Sequence, residues 1–450
     1  MLPLLNSLST LMAVMFIAYV LFILIPFLRA PVIKPGDTDS FIWHFFIPCR
    51  DEEVVISDTI ERSRADFPGA HVWVIDDDSD DATAAIVASY AAVDDHVHLV
   101  QRRRPDARTG KGDALNSAYA ALNAWLPEDT DRSHVIVGVV DADGELSDNA
   151  LDIVSSDTVF GDPVIGAAQT AVWMKNRADK RPYPKRGRIV NAFASYLLRM
   201  QDLEFRTVIA AMQSLRAKTG TVGLGGNGQF ARLSVLDAIG EGYGAPWHGA
   251  LLEDYELGLH VLLAGYQVKH VYETHVSQEA LPDMRRLITQ RTRWAQGNIQ
   301  CVKYMKEIVT SRNFDAAGVV ETCYYLLLPF LQVLGVFSVM TLLGFRLAGA
   351  LADPASVLTN STGVLGLTAL ILVFSIAPFA IWGPIYRKKC EPQASFVTGL
   401  AWGLGSWLYV YYMYVCVIKA FVRIIRGQQG WAKTRRNAEL HVAGAIAIEA

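Results

Sequence analysis

The chain has 450 residues, a formal net charge of −4 and a pI near 6.2. That length allows two or three domains and a core large enough for an enzyme. The weakly acidic balance excludes the global basic field that holds nucleic acid, Arg102–Arg104 being a run of three and not a patch. Hydrophobic residues make up 52% and mean hydropathy is +0.23, yet charge is uneven: acids crowd 71–150, while Cys323–Leu347 carries only Arg346. Such a mosaic implies a soluble domain joined to membrane segments. The five cysteines (Cys49, Cys301, Cys323, Cys390 and Cys416) are widely spaced and suggest neither a zinc site nor a disulfide framework.

Met1–Leu28 has no charge, and Leu11–Leu28 is almost wholly apolar. At about 1.5 Å per residue it nearly spans a hydrocarbon core of about 30 Å. It is expected to anchor the chain within residues 1–34. A cleaved signal peptide would need a basic region before the apolar run and small residues after it, where this chain has Pro26 and Arg29.

From Phe41 the pattern changes to short apolar runs, Phe45–Ile47, His71–Ile75, His96–Val100 and His134–Val140, separated by helical stretches Asp58–Arg64, Ala82–Tyr90 and Asp113–Trp125. This alternation predicts an α/β fold with a mostly parallel sheet. Functional side chains in such sheets collect at the carboxyl ends of strands. Two of the predicted strands run directly into acids.

Asp76 and Asp77 open the first acidic cluster, Asp76–Asp81. Carboxylates there can accept hydrogen bonds from a base and ribose, although an Asp-rich turn is also ordinary punctuation. Asp141-Ala142-Asp143 follows the strand ending at Val140. Residues i and i+2 of an extended segment face the same way, so both carboxylates can converge on one hard cation, Mg²⁺ or Mn²⁺. Such an ion offsets the charge that develops when a diphosphate leaves. A lone pair of this kind is equally a structural feature. Lys111, between Gly110 and Gly112 before a helix, can meet phosphate, or can be a plain loop residue.

The third site is Glu253 and Asp254, preceded by Trp247 and by a glycine-rich stretch containing Gly228 and Gln229. It suits an acceptor pocket in which a sugar stacks on an aromatic ring and an acid takes its hydroxyl proton. Acids opening the helix Leu257–Leu263 are the structural alternative. The fourth is Gln290-Arg291-Thr292-Arg293-Trp294, inside a helix predicted from Pro282 to Ile308. Gln290, Arg293 and Trp294 share one face of that helix, while Arg291 points about 100° away. An amphipathic helix at a membrane surface would use the same residues.

Three further apolar segments, Tyr324–Leu347, Val364–Tyr386 and Phe396–Phe421, are long enough to cross a bilayer. Arg387-Lys388-Lys389 and the basic tail mark the cytoplasmic side. One crossing before a cytoplasmic domain and three after it would put the tail outside, which singles out the glycine-broken Phe396–Phe421 as re-entrant, paired or interfacial. The expected organisation is an anchor at 1–34, a catalytic domain at 35–313 with an interfacial helix near 282–308, a membrane region at 314–425 and a cytoplasmic tail at 426–450.

Taken together, Ile47-Pro48-Cys49-Arg50-Asp51-Glu52-Glu53, Asp76-Asp77, Asp141-Ala142-Asp143, Glu253-Asp254 and Gln290-x-x-Arg293-Trp294 occur in the order found in family-2 glycosyltransferases. The chain resembles their membrane branch, which includes cellulose, hyaluronan, chitin-oligosaccharide and poly-N-acetylglucosamine synthases. The resemblance covers roughly Phe41–Gln300 and implies a GT-A-type fold. In it Asp76 and Asp77 hold the nucleoside, Lys111 and Arg293 the diphosphate, and Asp141 and Asp143 the nucleotide and metal. Asp254 is then the general base, with Glu253, Gly228, Gln229, Trp247, Gln290 and Trp294 around the acceptor. The implied reaction is inverting transfer from a nucleotide sugar, a UDP-sugar by preference, onto a growing β-linked glycan. The alternative acceptor is a membrane lipid, diacylglycerol or a polyprenyl phosphate. Implied partners are donor, acceptor, membrane lipids and an export partner or second copy, with no nucleic acid, in a multi-pass plasma-membrane protein of bacterial type. Two departures from the pattern stand out: Asp78-Ser79-Asp80 adds negative charge near an anionic nucleotide, and Leu252 precedes Glu253-Asp254. A non-catalytic transporter subunit is the reading from another class, but no charge interrupts Val364–Ile385 or Val397–Ile418 to form an ion pathway.

Overall fold

The computed structural model describes residues 2–353 and 372–428. Its centre is an eight-stranded mixed sheet with the order β3-β2-β1-β4-β7-β6-β8-β5. The strands are β1 (Ile42–Cys49), β2 (His71–Asp77), β3 (Val97–Arg102), β4 (Val135–Val139), β5 (Glu145–Leu146), β6 (Ile165–Met174), β7 (Gln229–Arg232) and β8 (Gln267–Gln278). The three pairings among the first four strands follow the predicted runs: β1 lies parallel to both β2 and β4, and β2 parallel to β3. β1, β2 and β4 are rich in β-branched and aromatic residues and are buried on both faces, as parallel strands covered by helices must be, while β3 at the sheet edge is partly open. β7 is antiparallel to β4 and β6, whereas β6 and β8 run parallel.

Two hydrophobic clusters fill the two faces of the sheet, one around Phe45, Ile47, Val74 and Phe230, the other around Phe46, Ile75, Leu115 and Leu236. A third joins the catalytic unit to apolar helices. It brings Val20, Ile23 and Phe27 of helix Leu2–Leu28 together with Leu197 and Met200 of helix Arg188–Leu203, Leu287 of helix Met284–Cys301, Trp382 and Tyr409. Asp283 starts Met284–Cys301 by accepting a hydrogen bond from the Arg286 amide at 2.9 Å. The helix expected to run on to Ile308 instead breaks at a 3-10 turn, Val302–Tyr304.

Three helices among the described residues are long and apolar enough to cross a membrane: Ser7–Leu28, Ala316–Gly349 and Phe396–Ile425. Of the expected segment Val364–Tyr386, residues 364–371 lie outside the described residues, as do most of the tail 426–450 and the loop beyond Asp353. The Phe396–Ile425 stretch is two helices, Phe396–Val410 and Tyr412–Ile425. Along its length it touches the catalytic unit. Trp402 takes the Arg199 guanidinium at 5.1 Å, Gly405 accepts the Tyr196 hydroxyl at 2.8 Å, and Tyr409 donates to Glu204 at 3.0 Å. At its far end Arg423 donates to Gln296 at 2.7 Å.

A buried ion pair ties Ala316–Ala352 to the catalytic unit. Arg216 donates to Glu321 at 2.8 Å, Thr221 donates to the other oxygen at 2.9 Å, and the guanidinium lies 4.0 Å from the Tyr325 ring.

At the amino-terminal ends of β1–β3, in-register pairing aligns His44 with His71 and Trp73 with His98. The Trp73 indole donates to His44 Nδ1 at 3.0 Å, and His71 Nδ1 and His98 Nε2 lie 3.1 Å apart. Burial first, then neighbouring histidines, lowers all three: His44 to about 3, His71 to about 4, and His98 in the same direction. Lowered folded-state values mean that the unfolded chain binds more protons below about pH 6.5, so stability is full above that pH and is lost as pH falls through it. The thermal unfolding midpoint in detergent should therefore drop by about 5 °C or more between pH 7 and pH 5. His71→Gln should flatten that slope, as fluorescence-monitored melting can check.

Candidate active site

The loops after β1, β2 and β3 are stitched together before any ligand is considered. The Asp51 amide donates to Ser79 Oγ at 3.0 Å and the Asp80 amide donates to Asp51 Oδ1 at 2.8 Å. The end of β3 and the segment after it supply four arginines that answer the acids at the end of β2 and just beyond it. Arg102 bonds Asp77, Arg103 reaches Asp76 at 3.2 Å, Arg104 reaches Asp78 at 2.7 Å and Arg108 reaches Asp80 at 2.7 Å. The extra charge of Asp78 and Asp80 is thus offset locally, and Arg102–Arg104, unremarkable in the sequence, has a defined task. Asp76 is fully buried at the end of its strand and accepts the Ser79 amide at 3.2 Å.

Lys111 opens helix Lys111–Trp125. The neighbouring Gly112 is required by close approach: a Cβ there would fall 2.7 Å from the His248 carbonyl oxygen and 3.5 Å from Glu253 Cβ. With no side chain in the way, the helix start abuts the segment that leads into helix Glu253–Leu263. The Lys111 ammonium then donates to Asp141 at 2.8 Å and lies 3.9 Å from Glu253. Gly226, at φ +80, closes the opposite side; a Cβ there would sit 2.8 Å from Asp254 Oδ2 and 3.4 Å from Lys111 Nζ. Lys111, Asp141, Glu253 and Asp254 therefore form one cluster.

Asp141 and Asp143 are held by main chain and amides. The Asp141 amide donates to Asn227 Oδ1 at 3.1 Å, and Lys175 donates to the Asp143 carbonyl at 3.3 Å. Asn227 in turn donates to Gln278 at 3.0 Å. No group of three or more His, Cys, Asp or Glu that could hold a metal by itself exists among the described residues. Two carboxylates are nonetheless a fitting donor set for Mg²⁺ or Mn²⁺, which take one or two protein carboxylates and complete their shell with substrate phosphates and water.

Asp254 and Glu253 are buried, and both carboxyl groups are pushed up in pKa. For Asp254 the causes are burial and then the Glu253 charge, opposed by Lys111, and the value rises to about 7; for Glu253, burial leads and Lys111 opposes. A carboxylate poised near neutrality can take a proton from a hydroxyl.

Helix Met284–Cys301 docks beside these acids. The Leu251 amide donates to Gln300 at 2.8 Å, and a Cβ on Gly297 would lie 2.5 Å from the Leu252 nitrogen. Arg293 is close enough for its charge to act on Glu253. Arg291, which the helical wheel turns away from the shared face, is buried and donates to Glu204 at 2.9 Å, with its guanidinium 4.1 Å from the centroid of the Trp294 ring. Phe205 meets Trp294 edge-on at 6.2 Å. Gln290 and Trp294 are half-buried.

Three expected acceptor residues do not reach an open face. Trp247 is 2% exposed and packs against Phe46 in the sheet core, so its ring has no surface for a sugar. Gly228 turns the chain into β7, its amide donating to the Val139 carbonyl, and a Cβ there would strike Thr170 Oγ1 at 2.3 Å. Gln229 is buried within β7 opposite Val139 and Gln169. Proximity to the acids in sequence suggested these residues, but strand geometry turned them inward. In the sequence Gly112 stood only as a neighbour of Lys111, and Gly226 and Asn227 only as part of a glycine-rich stretch; the fold gives the two glycines close approaches to Glu253 and Asp254 and gives Asn227 the Asp141 amide.

The model of a family described as "Glycosyltransferase like family 2" matches residues 43–297. A protein of Synechocystis sp. named beta-monoglucosyldiacylglycerol synthase is 29% identical over 280 residues, 60% of this chain and 51% of the relative. One of the same name from Trichormus variabilis is 28% identical over 259 residues, 56% of this chain and 48% of the relative. The chain thus spans about half the length of these curated relatives. A Bacillus subtilis protein named "Probable glycosyltransferase YdaM" is 25% identical over 87% of this chain and 86% of its own. Among solved structures, the mannosyltransferase PcManGT of Pyrobaculum calidifontis, in complex with GDP-Man and Mn²⁺, is similar over 93% of this chain and 98% of its own, with a TM-score of 0.57 and 16% identity. That likeness is one of fold and extends through the flanking helices.

If Asp254 is the base, kcat/KM for nucleoside diphosphate release should fall tenfold per pH unit below about pH 7 and level off above it. The raised value also means the folded state pays for ionising Asp254 as pH rises from 3.8 through about 7. Asp254→Asn should accordingly melt at a higher temperature than the parent at pH 8 and at a similar temperature at pH 4.

Proposed function

Because the chain belongs to the glycosyltransferase-like family 2, we propose that it transfers a hexose from a nucleotide sugar to a membrane lipid with inversion, Asp254 acting as general base. The observation that carries the proposal is the convergence of Lys111, Asp141, Glu253 and Asp254, beside a helix that packs on the apolar segments. Asp76, at the carboxyl end of β2, holds the nucleoside. Asp77 shapes that loop through Arg102 and the Arg108 amide, which donates at 3.0 Å. Lys111 and Arg293 meet the diphosphate of the donor. Asp141 and Asp143 would hold a Mg²⁺ or Mn²⁺ ion, which supplies charge neutralisation for the leaving diphosphate. PcManGT carries Mn²⁺ together with a nucleotide sugar, which supports that reading.

Asp254 takes the proton of the acceptor hydroxyl as its oxygen attacks the anomeric carbon from the side opposite the nucleoside diphosphate. The bond to the diphosphate oxygen breaks, and an α-linked donor yields a β-glycoside. Arg291 holds Trp294 in place between Glu204 and Phe205, so the ring that lies under the acceptor is fixed by the membrane-facing side of the domain.

A lipid acceptor, the alternative at the level of sequence, is preferred over a growing polysaccharide for two reasons. The relatives that match at 28–29% identity are named for transfer to diacylglycerol. In addition, Phe396–Ile425 follows the catalytic unit from Trp402 to its end, which fits an interfacial belt better than the wall of a polymer channel. With Val364–Tyr386 as a crossing, such a belt would leave the basic tail on the same side as the catalytic unit, as the positive charges require. Chain extension remains the second reading, supported by the Gln290-x-x-Arg293-Trp294 pattern.

Incubating the purified full chain with diacylglycerol and a panel of nucleotide sugars, with Mg²⁺ or Mn²⁺, should yield a single glycolipid carrying one sugar. A ladder or high-mass polymer would favour the second reading. Asp254→Asn should lower nucleoside diphosphate release by at least about 10³-fold while nucleotide binding by calorimetry is retained. Unchanged turnover in that variant would reject Asp254 as the base.

A further inference from the structure

After β6 the chain makes a basic excursion before it enters helix Arg188–Leu203. Lys180, Arg181, Lys185, Arg186 and Arg188 are all exposed, and none forms an ion pair with a carboxylate within 4 Å among the described residues. Asp179 is the one acid between Arg177 and Arg188. The excursion is held against the helix start by Asn191, whose side chain donates to the Tyr183 and Arg186 carbonyls at 2.9 Å and accepts the Tyr183 amide at 2.9 Å.

Three facts make this surface unusual. The first turn of helix Arg188–Leu203 contains no acid, so Lys185, Arg186 and Arg188 crowd the positive end of a helix dipole that favours negative charge. Ile189 and Phe193 lie on the stripe that Tyr196 and Met200 continue, at 87% and 49% exposure, with Val190 at its edge at 40%, while Asn191, Ala194 and Leu198 on the far side are buried. Farther along, Tyr196 and Met200 pack against Gly405 of the apolar stretch Phe396–Ile425, which places the exposed side next to the membrane segments. Basic side chains bordering exposed apolar ones on an amphipathic helix are the pattern of a surface that settles into an anionic lipid interface.

We propose that Lys180–Arg188, with Ile189, Val190 and Phe193, docks the catalytic unit on the anionic phospholipid surface of the membrane that its apolar helices enter. The cations meet lipid phosphates and headgroup charges, and the three apolar side chains enter the acyl boundary beside Phe396–Val410. The occupant is a bilayer surface because the patch combines unpaired cations with apolar side chains; a soluble anion would leave Ile189 and Phe193 in water. Docking here is independent of sugar transfer.

The test is hydrogen–deuterium exchange of the full chain in nanodiscs of phosphatidylcholine alone and in nanodiscs with about 30 mol% phosphatidylglycerol. Anionic lipid should slow exchange of the amides over 180–193 at least tenfold, since each basic residue near such a surface contributes about fivefold to partitioning. The protection should disappear at about 1 M salt, where the Debye length is about 3 Å. The triple variant Lys185→Gln, Arg186→Gln, Arg188→Gln should lose the lipid dependence, and Phe193→Asp should lose most of it; unaltered exchange in β1 shows that each variant is folded. Equal exchange in the two lipids would overturn the proposal. So would the same protection in phosphatidylcholine nanodiscs on adding UDP with Mg²⁺, which would make the segment a cover for the donor, or on adding polyglutamate, which would make it a site for acidic protein. Nucleoside diphosphate release from the same samples reports the transferase reading separately.

Discussion

One ammonium group orders the centre of this protein. Lys111 stands among Asp141, Glu253 and Asp254, which come from the end of β4 and the start of a helix more than a hundred residues later. Buried carboxylates of like charge would otherwise repel one another and draw protons. The lysine keeps them together only because Gly112 lets its helix come within contact of His248 and Glu253, and because Gly226 leaves room for Asp254. The positions of Asn227, the glycine turn and helix Met284–Cys301 all follow from that packing. In the proposed function the same lysine would leave the resting acids to meet the donor phosphates, changing partner where it stands.

Much of this was legible in the sequence. β1 to β4 announce themselves as short apolar runs, as strands packed into a parallel sheet must, and β2 and β4 lead directly into acids. Gln290, Arg293 and Trp294 stand at helical spacing, whereas Asp141 and Asp143, expected in an extended segment, lie past the end of β4 in a turn closed by the Gly144 amide on the Asp141 carbonyl at 2.7 Å. What was not legible depended on contacts distant in the chain. Four of the ten residues of β6 are small, Gly166, Ala167, Ala168 and Ala171, and β8 carries polar residues on its partly open face, so neither has a periodic signature. Trp247 read as a sugar platform because it lies near Asp254 in sequence, yet the fold used it to fill the core beside Phe46. Arg291 read as the odd residue of its motif, yet burial beside Glu204 gives it the work of holding Trp294. The arginines after β3 had no evident purpose until the loop after β2 was placed against them.

The catalytic unit and the apolar helices share a core, with Phe27, Met200, Leu287, Trp382 and Tyr409 in one cluster. A second polar junction lies at its edge. Asp202, fully buried, accepts the Met174 amide at 2.8 Å and bonds Tyr386, while Glu391 lies between Arg177 at 3.1 Å and Arg199 at 3.2 Å. Strand β6, the helix that follows it and Trp382–Cys390 are therefore fixed to one another by charge as well as by packing. The Arg291–Trp294 corner inherits its geometry from this junction, through Glu204 and Phe205 just beyond the end of that helix.

The Arg216–Glu321 pair gives the boundary between the two parts a character of its own. Each partner is nearly inaccessible, and one belongs to the catalytic unit while the other belongs to a helix apolar enough for a bilayer. Removing either from such a pair strands a charge in a low-dielectric interior at a cost of about 3–5 kcal/mol. A severed catalytic half would carry that penalty as a permanent defect, exposing an arginine niche with nothing to fill it. The join is thus closer to a keystone than to a tether, and the enzyme is a single mechanical piece whose two parts take their relative orientation when the chain folds.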